Sequence, residues 1–178
     1  MTTDELDTLV ETAVDTAKRL LEGAVREGFA AKMGPQIILV ARTHPDGKEA
    51  DKPFVTLISP ASLAIDGVMP DKEQLMAGAR LVARATNAYA AVTALEAWMG
   101  RANEEELETL PESLEDWPEH LRTEQALVMV ETEASFRSHT AAIRRAKDGP
   151  ATLEPWESAP LSKTTGRMTH IIPSNVLD

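Results

Sequence analysis

Gln36-Ile37-Ile38-Leu39-Val40-Ala41-Arg42, then His44-Pro45-Asp46-Gly47-Lys48, then Pro53 to Ser59, is the stretch on which the fold turns. The first run is short, continuous and apolar, rich in β-branched residues and bounded by turn signals. It reads as a well-buried strand. In the second run proline presets φ and glycine admits φ > 0, the chemistry of a tight reversal. The third run is again a strand, with Pro53 at its start, where a missing N–H is tolerated. Two strands joined by so short a reversal form an antiparallel hairpin.

Outward from this hairpin the pattern changes period. Leu6, Val10, Ala13, Ala17, Leu20 and Ala24 recur at spacings of four and three, with Leu9, Val14, Leu21 and Val25 widening the stripe. That is a helix with one apolar face. Thr2 and Glu5 have the spacing of a capping box, and Gly28 or Gly34-Pro35 ends the helix. A helix of about 28 residues would be about 40 Å long and could lie across a sheet or overhang it to meet a partner helix. After the hairpin, Pro60 to Met69 reads as a loop. Asp71 with Gln74 then opens a second helix whose buried face is Leu75, Met76, Ala79, Val82, Ala83 and Thr86, with Asn87 at its end.

The rest reads as strands. Tyr89 to Met99 is the third, with Val92, Ala94, Glu96 and Trp98 on one face. Residues 100–122 form an acidic connection with eight acids, two Arg and two Pro, and little apolar surface to offset the entropy of ordering it. Glu124 to Phe136 is the fourth strand and His139 to Lys147 the fifth. A reversal at Arg137-Ser138 would set Glu131 opposite Arg144 on the solvent face. Thr152 to Trp156 is a short sixth strand. The class is α+β, a mostly antiparallel five- to six-stranded sheet with two helices, in the order α-β-β-α-β-β-β-β. Profilin-like and roadblock-like modules share such an element order, an analogy without function. Residues 1–157 form one domain and 158–178 a tail or arm, whose Met168 to Ile172 would add to a sheet edge.

Composition narrows the function classes. The chain has 178 residues, no cysteine and a net charge of -11. Without cysteine there are no disulfides, thiolate zinc sites, iron–sulfur clusters or thiol nucleophile. Residues 1–136 carry 12 basic and 25 acidic side chains, and residues 137–178 carry 6 basic and 4 acidic. An acidic body repels nucleic acid and anionic membrane, so neither is an expected partner. No run approaches the roughly 20 apolar residues of a membrane helix, and the acidic first turn does not read as a signal peptide. The cytoplasm is the expected location. Phosphate-loop, dinucleotide, zincin and nucleophile-elbow motifs are absent. His44, His120, His139 and His170 are scattered, so no metal or cofactor is expected.

The densest polar candidates are Glu96, Trp98, Arg122 and Glu124. Glu96 lies on a strand face that otherwise reads apolar, and a carboxylate there needs a cation or donors. Arg122 is the cation expected to serve it, with Trp98 covering the pair. Such a cluster is either a buried ion pair that sets strand register or a carboxylate/Arg pocket for a polar ligand or acid–base work. The run Ala94-Leu95-Glu96-Ala97-Trp98-Met99, the acidic loop and Arg122-Thr123-Glu124-Gln125-Ala126-Leu127 together resemble small uncharacterised bacterial and phage proteins with a Glu-Ala-Trp strand followed by an Arg-x-Glu strand. The resemblance covers about thirty-five residues and implies no activity, cofactor or catalytic residue. The function expected is a non-catalytic interaction or assembly module binding itself or another protein. The alternative is a small metal-independent hydrolase or isomerase, or a ligand-binding sensor, using Glu96 and Arg122.

Overall fold

A computed structural model describes residues 2–44, 46–100, 102–111, 113–146, 149–160 and 171–172. The Thr2 hydroxyl accepts from the Glu5 N–H, and the Glu5 carboxylate accepts from the Thr2 N–H at 2.8 Å. This reciprocal cap starts α1, Thr3–Arg26. Gly28, at φ +75°, ends it and leads to a single-turn helix α2, Ala30–Met33. α1 buries Leu6, Val10, Ala13, Val14, Ala17, Leu21, Ala24 and Val25, the stripe that the spacing predicts.

β1 (Gln36–Thr43) and β2 (Glu49–Ile58) form the hairpin, closed by His44 stacked on Phe54 with ring centroids 4.9 Å apart. β2 begins earlier than Pro53, because Glu49 already pairs with Thr43. Asp71 and Gln74 form the second capping box, opening α3, Lys72–Ala85. Then follow β3 (Ala88–Gly100), a single-turn helix α4 (Glu104–Leu107), β4 (Arg122–Thr132), β5 (Phe136–Arg144), β6 (Thr152–Leu153) and β7 (Glu157–Pro160). The sheet is antiparallel in every pair, in the order β2-β1-β3-β4-β5-β6, with β7 also on β5. It has seven strands. The additional strand, β7, falls partly in the stretch expected to be tail.

Period two then assigns the faces. Ile38, Val40, Ala90, Val92, Ala94, Ala126, Val128 and Val130 pack under α1. Ile37, Leu39, Ile58, Ala88 and Ala91 face the other way, against Leu75, Met76, Ala79 and Ala83 of α3. The apolar stripe of α1 is thus spent on its own sheet, and the overhanging, partner-seeking helix is not what the fold builds. Among the described residues no helix is long and apolar enough to cross a membrane.

Two expectations about the later strands are corrected. The β4–β5 reversal falls at Glu133-Ala134-Ser135, its centre four residues earlier than expected. There the Thr132 hydroxyl accepts the N–H groups of Ala134 and Ser135, and Thr132 N–H bonds to Ser135 C=O at 2.9 Å. This shift sets Glu131 opposite Phe136, and the face it shares with Leu127 and Met129 is met there by Ile171 and Ile172, so Glu131 is buried. Arg144 takes Glu154 instead, at 2.7 Å. The second correction concerns the C-terminal segment. Residues 168–170 lie outside the described residues, but Ile171 and Ile172 are not a strand on an edge. They are buried on the α3 side of the sheet, and their consecutive N–H groups donate to the two Glu131 oxygens at 3.0 and 3.1 Å.

Trp117 and Trp156 act as anchors. The Trp117 indole donates to Pro111 C=O at 2.7 Å and lies against Gly100, where a Cβ would not fit. The Trp156 indole donates to Glu22 on α1 at 2.8 Å.

The Glu131 contact carries a stability prediction. Glu131→Ala strands two buried N–H groups, which costs about 1–3 kcal/mol for each. Urea melts should show that loss, with Glu131→Gln intermediate because its amide offers a single oxygen. A loss below about 0.5 kcal/mol, the level of an ordinary surface change, would mean that the segment is not held there.

Candidate functional site

The β3–β4 register sets Trp98 opposite Glu124, Glu96 opposite Ala126 and Gly100 opposite Arg122. Residues two apart share a face, so Glu96, Trp98, Arg122 and Glu124 all stand on the α1 side of the sheet. All four candidates are therefore gathered. Exposure rises along β3 after Leu95, so this group stands at the margin of the α1-side core.

The cation that grips the carboxylates is Arg145, just beyond the end of β5. Its Nε donates to Glu124 Oε2 at 2.7 Å, its Nη2 donates to Glu124 Oε1, and Nη2 also reaches Glu96 Oε1 at 3.2 Å. This corrects the expected Glu96–Arg122 pairing as the bond that holds Glu96. Arg122 lies over the Trp98 ring, 5.7 Å from its centroid, and Trp98 leaves 55% of its surface open. Arg145 was missed because the fifth strand was expected to run on to Lys147. Its signal is the Arg144-Arg145 pair shortly before Asp148-Gly149-Pro150, two cations at a strand end beside a carboxylate-bearing neighbour.

The side chains of Glu96 and Glu124 are 8% and 11% exposed, and Glu96 Oε2 accepts no donor. Burial, and then the bond to and charge of Glu124, push the Glu96 carboxyl from 4.5 up to about 7. Glu124 is held below the usual carboxylate range by its two bonds to Arg145. Two carboxylates facing one guanidinium thus settle as one ionised and one that keeps its proton near neutrality, and that proton answers the unmatched oxygen. Chemically, the arrangement can hold or release one proton. A cleft of about 290 Å³ between the end of α1 and residues 145–146 and 149–151 is lined by Arg26, Gly28, Arg145 and Pro150 among others, and by neither the Glu96 nor the Glu124 carboxylate.

The described histidines do other work. His44 stacks in the hairpin, His120 is exposed in a 3-10 turn, and His139 is buried on the sheet face under α1. Burial lowers the His139 pKa, with the charges of Lys18 and Arg137 adding to the effect. Among the described residues no three His, Cys, Asp or Glu side chains stand together as metal ligands.

A second surface stands out on the α3 side, in the stretch expected to be a plain loop. Ser59 and Ser62 cap a 3-10 turn, Pro60–Leu63. Ile65 and Val68 then bridge across Asp66 and Gly67, both at positive φ, the geometry of the tightest hairpin turn. The turn holds Ile65 and Val68 outward, each more than 70% exposed, beside exposed Met69 and Leu81. With Leu63, Ala77 and Gly78 they line a groove of about 480 Å³. Gly78 lets Leu63 sit close, since a Cβ there would come 2.7 Å from the Leu63 side-chain tip and push it aside. The sequence signal was Ile65-Asp66-Gly67-Val68, an Asp-Gly pair between β-branched residues.

Comparison of the chain with family models, with curated proteins and with solved structures finds no match.

The raised Glu96 carboxyl predicts a pH dependence. Its folded pKa lies above its unfolded one, so its contribution to stability is complete below about 4.5 and is lost as pH rises through about 7. Glu124 has the opposite sign: its contribution is present above the unfolded value and lost in acid. Glu96→Gln keeps the neutral shape at every pH. It should match the parent chain at about pH 5 and exceed it at about pH 8 by on the order of 1–2 kcal/mol in urea melts. A gap that does not widen with pH would show that Glu96 carries no proton.

Proposed function

We propose that this chain is a non-catalytic interaction module that assembles with copies of itself, in the cytoplasm. The observation that carries the reading is where the large exposed apolar side chains lie. Val55 and Leu57 are half exposed on the α1 side of edge strand β2, and Ile65, Val68, Met69 and Leu81 are exposed around the groove on the α3 side. Residues 53–69 contain one charged side chain, Asp66. Two bodies of charge -11 repel, and an uncharged apolar surface is where they approach at least electrostatic cost. Clustered apolar exposure of this kind on a folded chain marks an interaction site. The polar cluster at Glu96 is by contrast filled from within by Arg145.

The second reading is a small metal-independent hydrolase or isomerase, or a ligand sensor, at Glu96, with Arg145 in the place given to Arg122. What favours it is a buried carboxyl that titrates near neutrality.

Light scattering separates the two. The parent chain should show a molar mass that is a multiple of 19.4 kDa. Leu57→Glu combined with Leu81→Glu, one change on each exposed apolar surface, should lower that mass and leave the melting temperature unchanged, since both positions are exposed. A mass of 19.4 kDa up to about 100 μM, where contacts of micromolar affinity are saturated, would overturn self-association.

A further inference from the structure

We propose that two copies of the chain join edge to edge through β2, running antiparallel about a two-fold axis at Thr56. The inference rests on the self-association reading and names the contact. β2 ends the sheet, and no described strand lies beyond it. An edge strand carries backbone N–H and C=O groups open to another strand, and edges that must stay single are guarded by charge or proline. β2 is guarded over half its length. Glu49-Ala50-Asp51-Lys52-Pro53 holds three charges and a proline, whereas Phe54-Val55-Thr56-Leu57-Ile58 holds no charge at all.

The register follows from the groups that are free. Phe54, Thr56 and Ile58 sit opposite Ala41, Leu39 and Ile37 of β1. Pro53 has no N–H to give, and a proline in an edge strand turns that position outward. Backbone groups alternate in direction along a strand, so Val55 and Leu57 also point their N–H and C=O away from β1. With the axis at Thr56, Val55 of one copy faces Leu57 of the other, and each such pair exchanges both its bonds. Moving the axis to Val55 would set Pro53 opposite Leu57 and lose a donor. Moving it to Leu57 would set Val55 opposite Ser59, whose N–H and C=O are already committed to Ser62. The axis at Thr56 leaves both Val55–Leu57 pairs whole, with Pro53 and Ser59 facing each other beyond the ends of this short ladder.

Side chains agree with this register. Val55 and Leu57 lie opposite Val40 and Ile38, so both are on the α1 side, where they are 50% and 52% exposed. Across the axis each packs on the other's counterpart, which removes four half-exposed aliphatic side chains from water in the pair. Asp51 and Lys52 fall opposite Ala61 and Pro60 of the second copy, so no like charges meet. Homodimers of this two-fold kind are the commonest closed assemblies.

Thr56→Cys tests the axis directly, because the chain has no other cysteine. At the axis the pair is of the non-bonded kind, with Cα atoms about 4.5 Å apart, within disulfide range. Mild oxidation should convert Thr56→Cys to a two-chain species on non-reducing gels. Lys52→Cys, whose copies lie far from each other in this register, should cross-link on the order of a hundredfold more slowly. Leu57→Lys, at an exposed position that tolerates it, should lower the mass to 19.4 kDa with the melting temperature kept. If the parent chain self-associates but Thr56→Cys cross-links no faster than Lys52→Cys and Leu57→Lys keeps the parent mass, β2 pairing is wrong and the self-association reading survives. If the parent chain has a mass of 19.4 kDa at every concentration, both fall.

Discussion

The structure depends on the need to cover β1 and β3 on both faces. Leu39 and Val40 are neighbours pointing in opposite directions, and both are fully buried. Burying such side chains is worth about 1.5–3 kcal/mol each, so neither face of the central strands can be left to water. Everything else is arranged around that demand. α1 closes one face with a long stripe of small and branched residues, and its alanines allow it to sit close on Ala90 and Ala94. α3 is shorter, and Ile171 and Ile172 share the second face with it, brought there from the far end of the chain.

A two-sided core creates a difficulty for any charge on those strands, and the fold answers it twice, in different ways. Glu131 turns inward where a segment of backbone arrives, and two consecutive N–H groups satisfy it without a counter-charge. Glu96 turns inward at the margin of the core, where one guanidinium must serve two carboxylates. Burial and the second negative charge then favour a proton over ionisation. The first solution ties the C-terminal segment to the sheet. The second joins the ends of β3, β4 and β5, and leaves a titrating group near neutrality at the join.

The same demand explains why apolar surface remains outside. The core takes one face of each helix and two faces of the central strands, but β2 is an edge, and its Val55 and Leu57 stay half exposed on the α1 side. The turn at Asp66-Gly67 projects Ile65 and Val68 away from the chain's own core. Among the described residues these side chains stay at least half exposed, which is the observation behind the proposed contact with another molecule.

Some of this was legible in the order of residues. Both capping boxes, the stripe of α1, the hairpin of β1 and β2, and the α+β order rest on interactions between residues a few positions apart, which spacing reveals. Glu96 and Glu124 were also legible as charges on apolar faces. The position of the β4–β5 reversal was not, because the turn closed by a single hydroxyl, that of Thr132, lies four residues earlier. That shift carries Arg145, instead of Arg122, to the carboxylates, while the arrival of Ile171 and Ile172 turns Glu131 from surface to core. The sequence by itself determined which segments are helix or strand and which faces are apolar, since those follow from local periodicity. Only the tertiary structure decided which cation serves Glu96, what occupies the space beside Glu131 and which apolar residues stay exposed, because each depends on strand register, and register is settled by contacts between residues far apart in the chain.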